Sequence, residues 1–232
     1  MLNASVGSVI AKHCFSFDDL TIFACFNGEH DRELASFFTA LRRDTLRSFV
    51  ALNAAAVGPE TLLSLNHHSK TLKKLSLDGL TSDALKKLSS VQECVTLENL
   101  LIGGADRFFD LEATENDVYL EVITWLTRCS SLRDLSLKKL VNGPAILSQI
   151  CLNNNVRLRK LEVTGYPLAG SQDFHKSLTH QITLESLHLR ADAEGGFRWV
   201  RLSIFIFLHL CQYSVFCLSI SLGQDNVLWQ AL

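Results

Sequence analysis

The groups able to do chemistry in this 232-residue chain are seven cysteines, eight histidines and a scatter of serines and carboxylates, so their spacing is weighed first. Cys14, Cys25, Cys94, Cys129, Cys151, Cys211 and Cys217 are odd in number, widely spaced and lack any Cys-x-x-Cys pair. Such spacing argues against a disulfide framework or a zinc site and suits a reducing compartment. His67 and His68 are adjacent, but neighbours on a helix point about 100° apart, and no third ligand stands near. The pair reads instead as the end of a helix, where histidine complements the dipole. Serine, histidine and aspartate occur without a nucleophile-elbow motif, and no glycine loop of phosphate-cradling type is present. No catalytic residue, metal or cofactor is expected, and the chain is not expected to be an enzyme.

A different set of polar residues does recur at fixed spacing. Lys74, Asn99, Asp134, Lys160 and Ser186 each stand two places after the first Leu of a repeated phrase: TLKKLSL (71–77), TLENLLI (96–102), SLRDLSL (131–137), RLRKLEV (157–163) and TLESLHL (183–189). With TLRSFVA (45–51) included, the first Leu residues are Leu46, Leu72, Leu97, Leu132, Leu158 and Leu184, in steps of 26, 25, 35, 26 and 26. An LxxLxL phrase at a period of 20–29 residues marks a leucine-rich repeat. Within the phrase, Leu135 and Leu137 alternate with Asp134 and Ser136, so a short strand turns its Leu side chains inward and its polar ones outward. One such unit cannot bury its Leu face alone; stacked units can.

The intervening residues read as helices. SDALKKLSSVQEC (82–94) puts Leu85, Leu88 and Val91 on one face, with Ser82 or Asp83 as N-cap. Gly-Pro opens 58–68 and 143–155, and proline suits a first helical turn. Residues 31–43, 117–129 and 171–181 are helical in pattern too. The expected fold is therefore α/β: a leucine-rich-repeat solenoid of about six strand-turn-helix units over 31–198, with a parallel sheet on its concave face. Leu20, Phe23 and Cys25 lie 26 residues before Leu46, Phe49 and Ala51, so residues 1–30 read as a cap or degenerate first repeat.

Cys94 and Cys129 each precede a repeat Leu by three places, in CVTLENLLI and CSSLRDLSL. That position, the near-26 period and the helical second half resemble the cysteine-containing repeats of F-box/LRR proteins, in particular the fungal F-box/LRR-like set. The resemblance implies repeats that recognise a substrate beside an N-terminal F-box that docks a Skp1-cullin ubiquitin ligase. Residues 1–30 show neither a Leu-Pro opening nor a three-helix F-box pattern, so a ligase link would need a longer form. The Cys is replaced at the equivalent Ser69, Asn155 and Gln181. Cys94 and Cys129 are expected in the core rather than as nucleophiles, and Trp125 with them.

Candidate binding residues follow from the alternation. One outward column is Lys74, Asn99, Asp134, Lys160 and Ser186; the next is Ser76, Leu101, Ser136, Glu162 and His188. Mixed charge there suits a protein or peptide rather than a polyanion, with Asp134 and Lys160 positioned to pair. The 35-residue step carries an acidic insertion, GGADRFFDLEATEND (103–117), whose Phe108 and Phe109 either grip a partner or tuck against the neighbouring helix. The formal net charge of −2 supports neither nucleic acid nor an anionic membrane as partner. The sequence MLNASVGSVIAKHC has no basic stretch before its apolar run, so no signal peptide is expected, and the chain reads as cytoplasmic or nuclear.

The apolar stretch 199–222 breaks the pattern. Residues 202–222 carry no formal charge and are long enough to cross a bilayer, which would make the chain membrane-anchored. Its six polar Ser, His and Gln residues weaken that reading. Leu210, Tyr213 and Val215 echo the repeat phrase at the usual step, so a buried repeat element is a rival. The favoured expectation is a retained intron read in frame, because removing about 23 residues would bring the helix-like 223–232 close to its expected step.

Overall fold

Period-two alternation in the repeated phrases becomes strands, one per phrase. The computed structural model describes residues 2–23, 30–106, 109–111, 118–167, 172–192 and 217–222. Its strands are β1 (Asp19–Phe23), β2 (Ser48–Leu52), β3 (Lys74–Leu80), β4 (Asn99–Gly104), β5 (Asp134–Lys138), β6 (Lys160–Pro167), β7 (Ser186–Asp192) and β8 (Cys217–Leu222). They form one eight-stranded sheet in chain order, with every neighbouring pair parallel. Parallel neighbours cannot be joined by a hairpin, so a crossover must separate them. From β1 to β7 helical segments supply it: α1 (Ala4–His13) precedes the sheet, and α2 (Asp31–Ala40), α3 (Pro59–Ser64), α4 (Ser82–Leu85), α5 (Val118–Arg128), α6 (Gly143–Leu152) and α7 (Gln172–Ser177) lie between those strands. The protein is thus α/β, with α1 packed on α2, α2 on α3, α5 on α6 and α6 on α7.

Register carries the repeat into space. Phe49, Leu75, Leu100, Leu135, Leu161 and Leu187 are successive partners across β2–β7, and Ala51, Leu77, Ile102, Leu137, Val163 and Leu189 form a second ladder. All twelve are buried, as are the six leading Leu residues from Leu46 to Leu184. The long step between Leu97 and Leu132 leaves this register intact, with Leu100 opposite Leu135. In three phrases a leading threonine hydroxyl reaches back to the strand segment before it. Thr71 Oγ1 donates to the Leu46 carbonyl, Thr96 to Leu72 and Thr183 to Leu158, each at 2.8 Å.

Three local expectations need correction. In β1 it is Leu20 and Ile22 that oppose Phe49 and Ala51, while Phe23 pairs with Leu52. The reason is parity: Leu20-Thr21-Ile22 supplies the apolar-polar-apolar alternation, and Phe23 falls on the other face, largely exposed. Residues 82–94 do not make one α-helix. α4 ends at Leu85, and a 3-10 turn spans Leu88–Val91; Leu85, Leu88 and Val91 recur every three residues and line up better on a 3-10 turn. The N-cap is Thr81, whose hydroxyl accepts from the Ala84 N–H, rather than Ser82 or Asp83.

The third correction concerns the tail. The last six residues of 199–222 form β8, with Leu218 opposite Leu187 and Ile220 opposite Leu189. The residues opposite Leu187 and Leu189 are therefore Leu218 and Ile220, not the Tyr213 and Val215 of the phrase beginning at Leu210. Residues 199–216 and 223–232 lie outside the described set. Among the described residues, no helix is long and apolar enough to cross a membrane.

A feature the phrase does not show is the left-handed turn at four of the strands. Asn53, Gly79, Lys139 and Gly165 all have positive φ, and each stands seven residues after its repeat Leu. At Gly79 and Gly165 the ladder slips by one residue, between Asp78 and Leu80 and between Thr164 and Tyr166. Glycine takes that left-handed conformation without a Cβ penalty, which is why it suits these positions.

Candidate functional site

The outward residues of five neighbouring strands, β3–β7, line a depression of about 510 Å³ over the open face of the sheet. Its first row is Lys74, Asn99, Asp134, Lys160 and Ser186, joined as successive Cα partners. Its second row is Ser76, Leu101, Ser136, Glu162 and His188, aligned in the same way. The structure therefore brings together Lys74, Asn99, Asp134, Lys160, Glu162, Ser186 and His188 from segments more than 110 residues apart in sequence. Parity alone accounts for this: each residue neighbours a buried Leu, so each points away from the core.

Hydrogen bonding on the face departs from the expected Asp134–Lys160 pair. Asp134 accepts instead from Asn99 Nδ2 at 2.7 Å, across one strand spacing. Ser136 Oγ donates to Glu162 Oε2 at 3.0 Å. Lys138 Nζ sits between two carboxylates, 3.5 Å from Asp78 Oδ2 and 3.7 Å from Glu162 Oε1. Asp78 can reach Lys138 because Gly103 lies between them in the sheet; a Cβ there would collide with Asp78 Oδ1. This third row, six places after each repeat Leu, escaped the sequence reading although its spacing was visible.

A charged rim, one place after each repeat Leu, was also missed. Lys73 Nζ pairs with Glu98 at 2.6 Å. Arg159 donates through Nε and Nη2 to both oxygens of Glu185, at 2.9 and 2.8 Å. Those bonds lower the Glu185 carboxyl from its ordinary value and raise Arg159. The Arg133 guanidinium donates to the carbonyls of Ser130, Leu132 and Arg157.

The described residues Phe109–Leu111 of the insertion do not join this face. Phe109 is partly buried against the core and forms a bridge with Leu140, accepting from Val141 N at 3.0 Å and donating to Lys139 O at 3.2 Å. Leu111 is buried, and its N–H donates to Asn142 Oδ1 at 2.7 Å, tying the insertion to the start of α6. Phe109 thus tucks inward; Phe108 lies outside the described residues.

Cys94 and Cys129 are buried, and desolvation pushes both thiols up to about 12, so neither offers a thiolate at neutral pH. Each donates to the preceding unit: Cys94 Sγ to Leu65 O at 3.7 Å and Cys129 Sγ to Cys94 O at 3.7 Å. Trp125 is buried beside them, with Nε1 donating to Cys94 O at 3.1 Å.

His67 and His68 close a 3-10 turn, Leu65–His68, but the dipole explanation fails for His68. Its ring is fully buried, neither nitrogen makes a well-formed hydrogen bond, and burial, with His67 beside it, lowers its pKa to about 4 against a smaller opposing pull from the Phe38 backbone. It is a neutral ring packed edge-on to Phe38. His67 Nε2 lies 3.2 Å from the Leu41 carbonyl. Among the described residues, no group of three or more His, Cys, Asp or Glu could hold a metal ion. Compared with protein-family models and with curated proteins, the chain finds no match in either.

Proposed function

We propose that the chain is a leucine-rich-repeat solenoid of the F-box/LRR type, a non-catalytic module that binds a protein or peptide partner on its open sheet face in the cytoplasm or nucleus. The supporting observation is the depression over β3–β7, lined by the two outward rows in strict register. A rigid, pre-formed surface of this kind lowers the ordering cost of binding, because its side chains are already placed by the core beneath them. In this reading the ubiquitin-ligase link would come through an F-box carried by a longer form.

A second reading is a free-standing adaptor or inhibitor unrelated to ubiquitin ligation. Residues 4–23 form α1 and the first strand of the sheet, not a separate three-helix unit.

Affinity capture with the wild-type chain and with the Asp134→Lys/Lys160→Glu double variant tests the module reading. The exchange preserves net charge, and its stability cost is about 1 kcal/mol, for the lost Asn99–Asp134 hydrogen bond. A partner held by the wild type and lost by the folded variant supports the sheet face. Equal capture by both removes that surface from consideration. Skp1 and cullin subunits among the captured proteins favour the ligase reading; their consistent absence favours the adaptor.

A further inference from the structure

We propose that the segment bound on this face is an acidic, extended peptide with two carboxylate side chains about four residues apart and an apolar residue between them. The inference rests on the reading of the sheet face as the binding surface and names the chemistry of its occupant.

Charge accounting on β3–β7 carries the argument. Among the described side chains each acid there has a partner: Asp134 the neutral Asn99 amide, Glu162 Ser136 and Lys138, Asp78 Lys138, and Glu98 and Glu185 the rim cations Lys73 and Arg159. The cations are not all engaged. Lys74, Lys160 and Arg190 are exposed and make no ion pair within 4 Å among the described residues, although Lys160 also acts on Glu185 through space. Arg133 is oriented by three carbonyls, which leave its charge unneutralised. With Arg157 and Arg159 it lines a second depression, of about 410 Å³, beside the exposed Ile182. The depression's own lining balances, Lys74 and Lys160 against Asp134 and Glu162, so an approaching partner meets two separate lysine charges three strands apart rather than a positive field.

Spacing selects the conformation. Lys74 and Lys160 share a row on β3 and β6, three strand spacings apart, or about 14 Å at roughly 4.8 Å per strand. Four residues of extended chain cover about 13 Å, whereas four residues of helix rise only about 6 Å. Residues i, i+2 and i+4 of an extended chain share one side, so two carboxylates reach the two lysines with an apolar side chain between. Leu101, the sole apolar residue of the second row, lies on β4 within that interval. Discrete carboxylates fit better than a phosphate backbone: Asp134 and Glu162 interrupt the positive surface, and no Phe, Tyr or Trp in these two rows offers a stacking platform.

Random twelve-residue peptides displayed on phage and selected on the full chain provide the test. The expected yield is enriched in Asp or Glu at i and i+4 with Leu, Ile, Val or Phe at i+2. Synthetic copies should lose at least tenfold in affinity on Lys74→Glu/Lys160→Glu, and selection on that variant should turn to Lys or Arg at the same positions. Circular dichroism checks that each variant is folded. Peptides abolished by Leu101→Arg but showing no acidic preference would overturn this inference and leave the binding surface standing. An absence of peptides dependent on Lys74, Lys160 or Leu101 would overturn both. A labelled uridine oligonucleotide bound through Lys74 and Lys160 would overturn the peptide assignment in favour of a nucleic acid.

Discussion

Cys94 and Cys129, three places before their repeat Leu, reach back to carbonyls of the preceding unit; at the same place Gln181 does so with a different group. Its Nε2 donates to Cys151 O at 2.9 Å and to Val156 O at 3.1 Å, while its Oε1 accepts from Leu158 N at 3.0 Å. A buried amide is tolerated there because these bonds replace the water it loses. His68 shows the opposite condition, a buried ring without a well-formed hydrogen bond. With an ordinary value of 6.5 in the unfolded chain and about 4 in the folded one, it makes the unfolded state bind its proton first. Its effect on stability is therefore favourable and flat above about pH 6.5, declines as pH falls through that value, and levels off below about 4. The whole change amounts to about 3 kcal/mol. Chemical denaturation between pH 4 and 8 should show this loss in the wild type, and His68→Leu should flatten that part of the profile. Parallel wild-type and variant profiles would mean that the ring is protonated or solvated in the fold.

Elements are joined by features that recur with the phrase but lie outside its leucines: the leading Thr, the rim pairs and the left-handed residue at the strand end. Gly79 is the clearest case, with φ of +87° and ordinary contact room around a Cβ. Gly79→Ala should therefore destabilise through backbone conformation rather than collision, by about 1–2 kcal/mol in urea denaturation. An unchanged midpoint would show that β3 can leave the sheet by another route. Asp31 illustrates the same principle between helices. Its carboxylate accepts from the N–H groups of Gly58, Glu60 and Thr61 at 2.8–2.9 Å, capping α3 from the start of α2. Beneath the sheet face, Leu135 is buried between Leu100 and Leu161. Leu135→Ala should cost about 2–5 kcal/mol, well above the Asp134→Lys/Lys160→Glu exchange one residue away, as read by thermal or urea unfolding. Equal losses would contradict the assignment of inner and outer faces.

At the scale of the molecule, sequential parallel pairing makes each unit depend on its neighbours, and the last strand raises the question of the tail. An edge strand presents unpaired N–H and C=O groups, so alternating residues such as Leu218-Ser219-Ile220-Ser221 add to β7 whatever their origin. The composition of 199–222 still motivates the proposal that it is a retained intron read in frame. Sequencing of the mature message is expected to find a transcript that joins the codons flanking this segment. Its presence in every mature transcript would sink the intron reading and make β8 the native continuation of the sheet.

The period and parity of Leu75-Ser76-Leu77 and its copies sufficed to assign strands, their order and the polar residues that share a face. Those properties are local: alternation of two chooses the face, and a constant step chooses the neighbour. What the period could not decide was which polar groups bond to one another. Asp134 could pair with Lys160 or Asn99 at equal strand distance, and only the placed side chains chose Asn99. Asp78 reaches Lys138 past Gly103 because the tertiary arrangement leaves that space open. His68 carries no sequence mark separating it from His67, yet its burial follows from packing by Phe38, distant in the chain. Local pattern determined the parallel sheet and the order of its strands. Contacts between residues far apart in the chain decided the free charges of the face, because desolvation and hydrogen-bond geometry depend on which neighbours arrive.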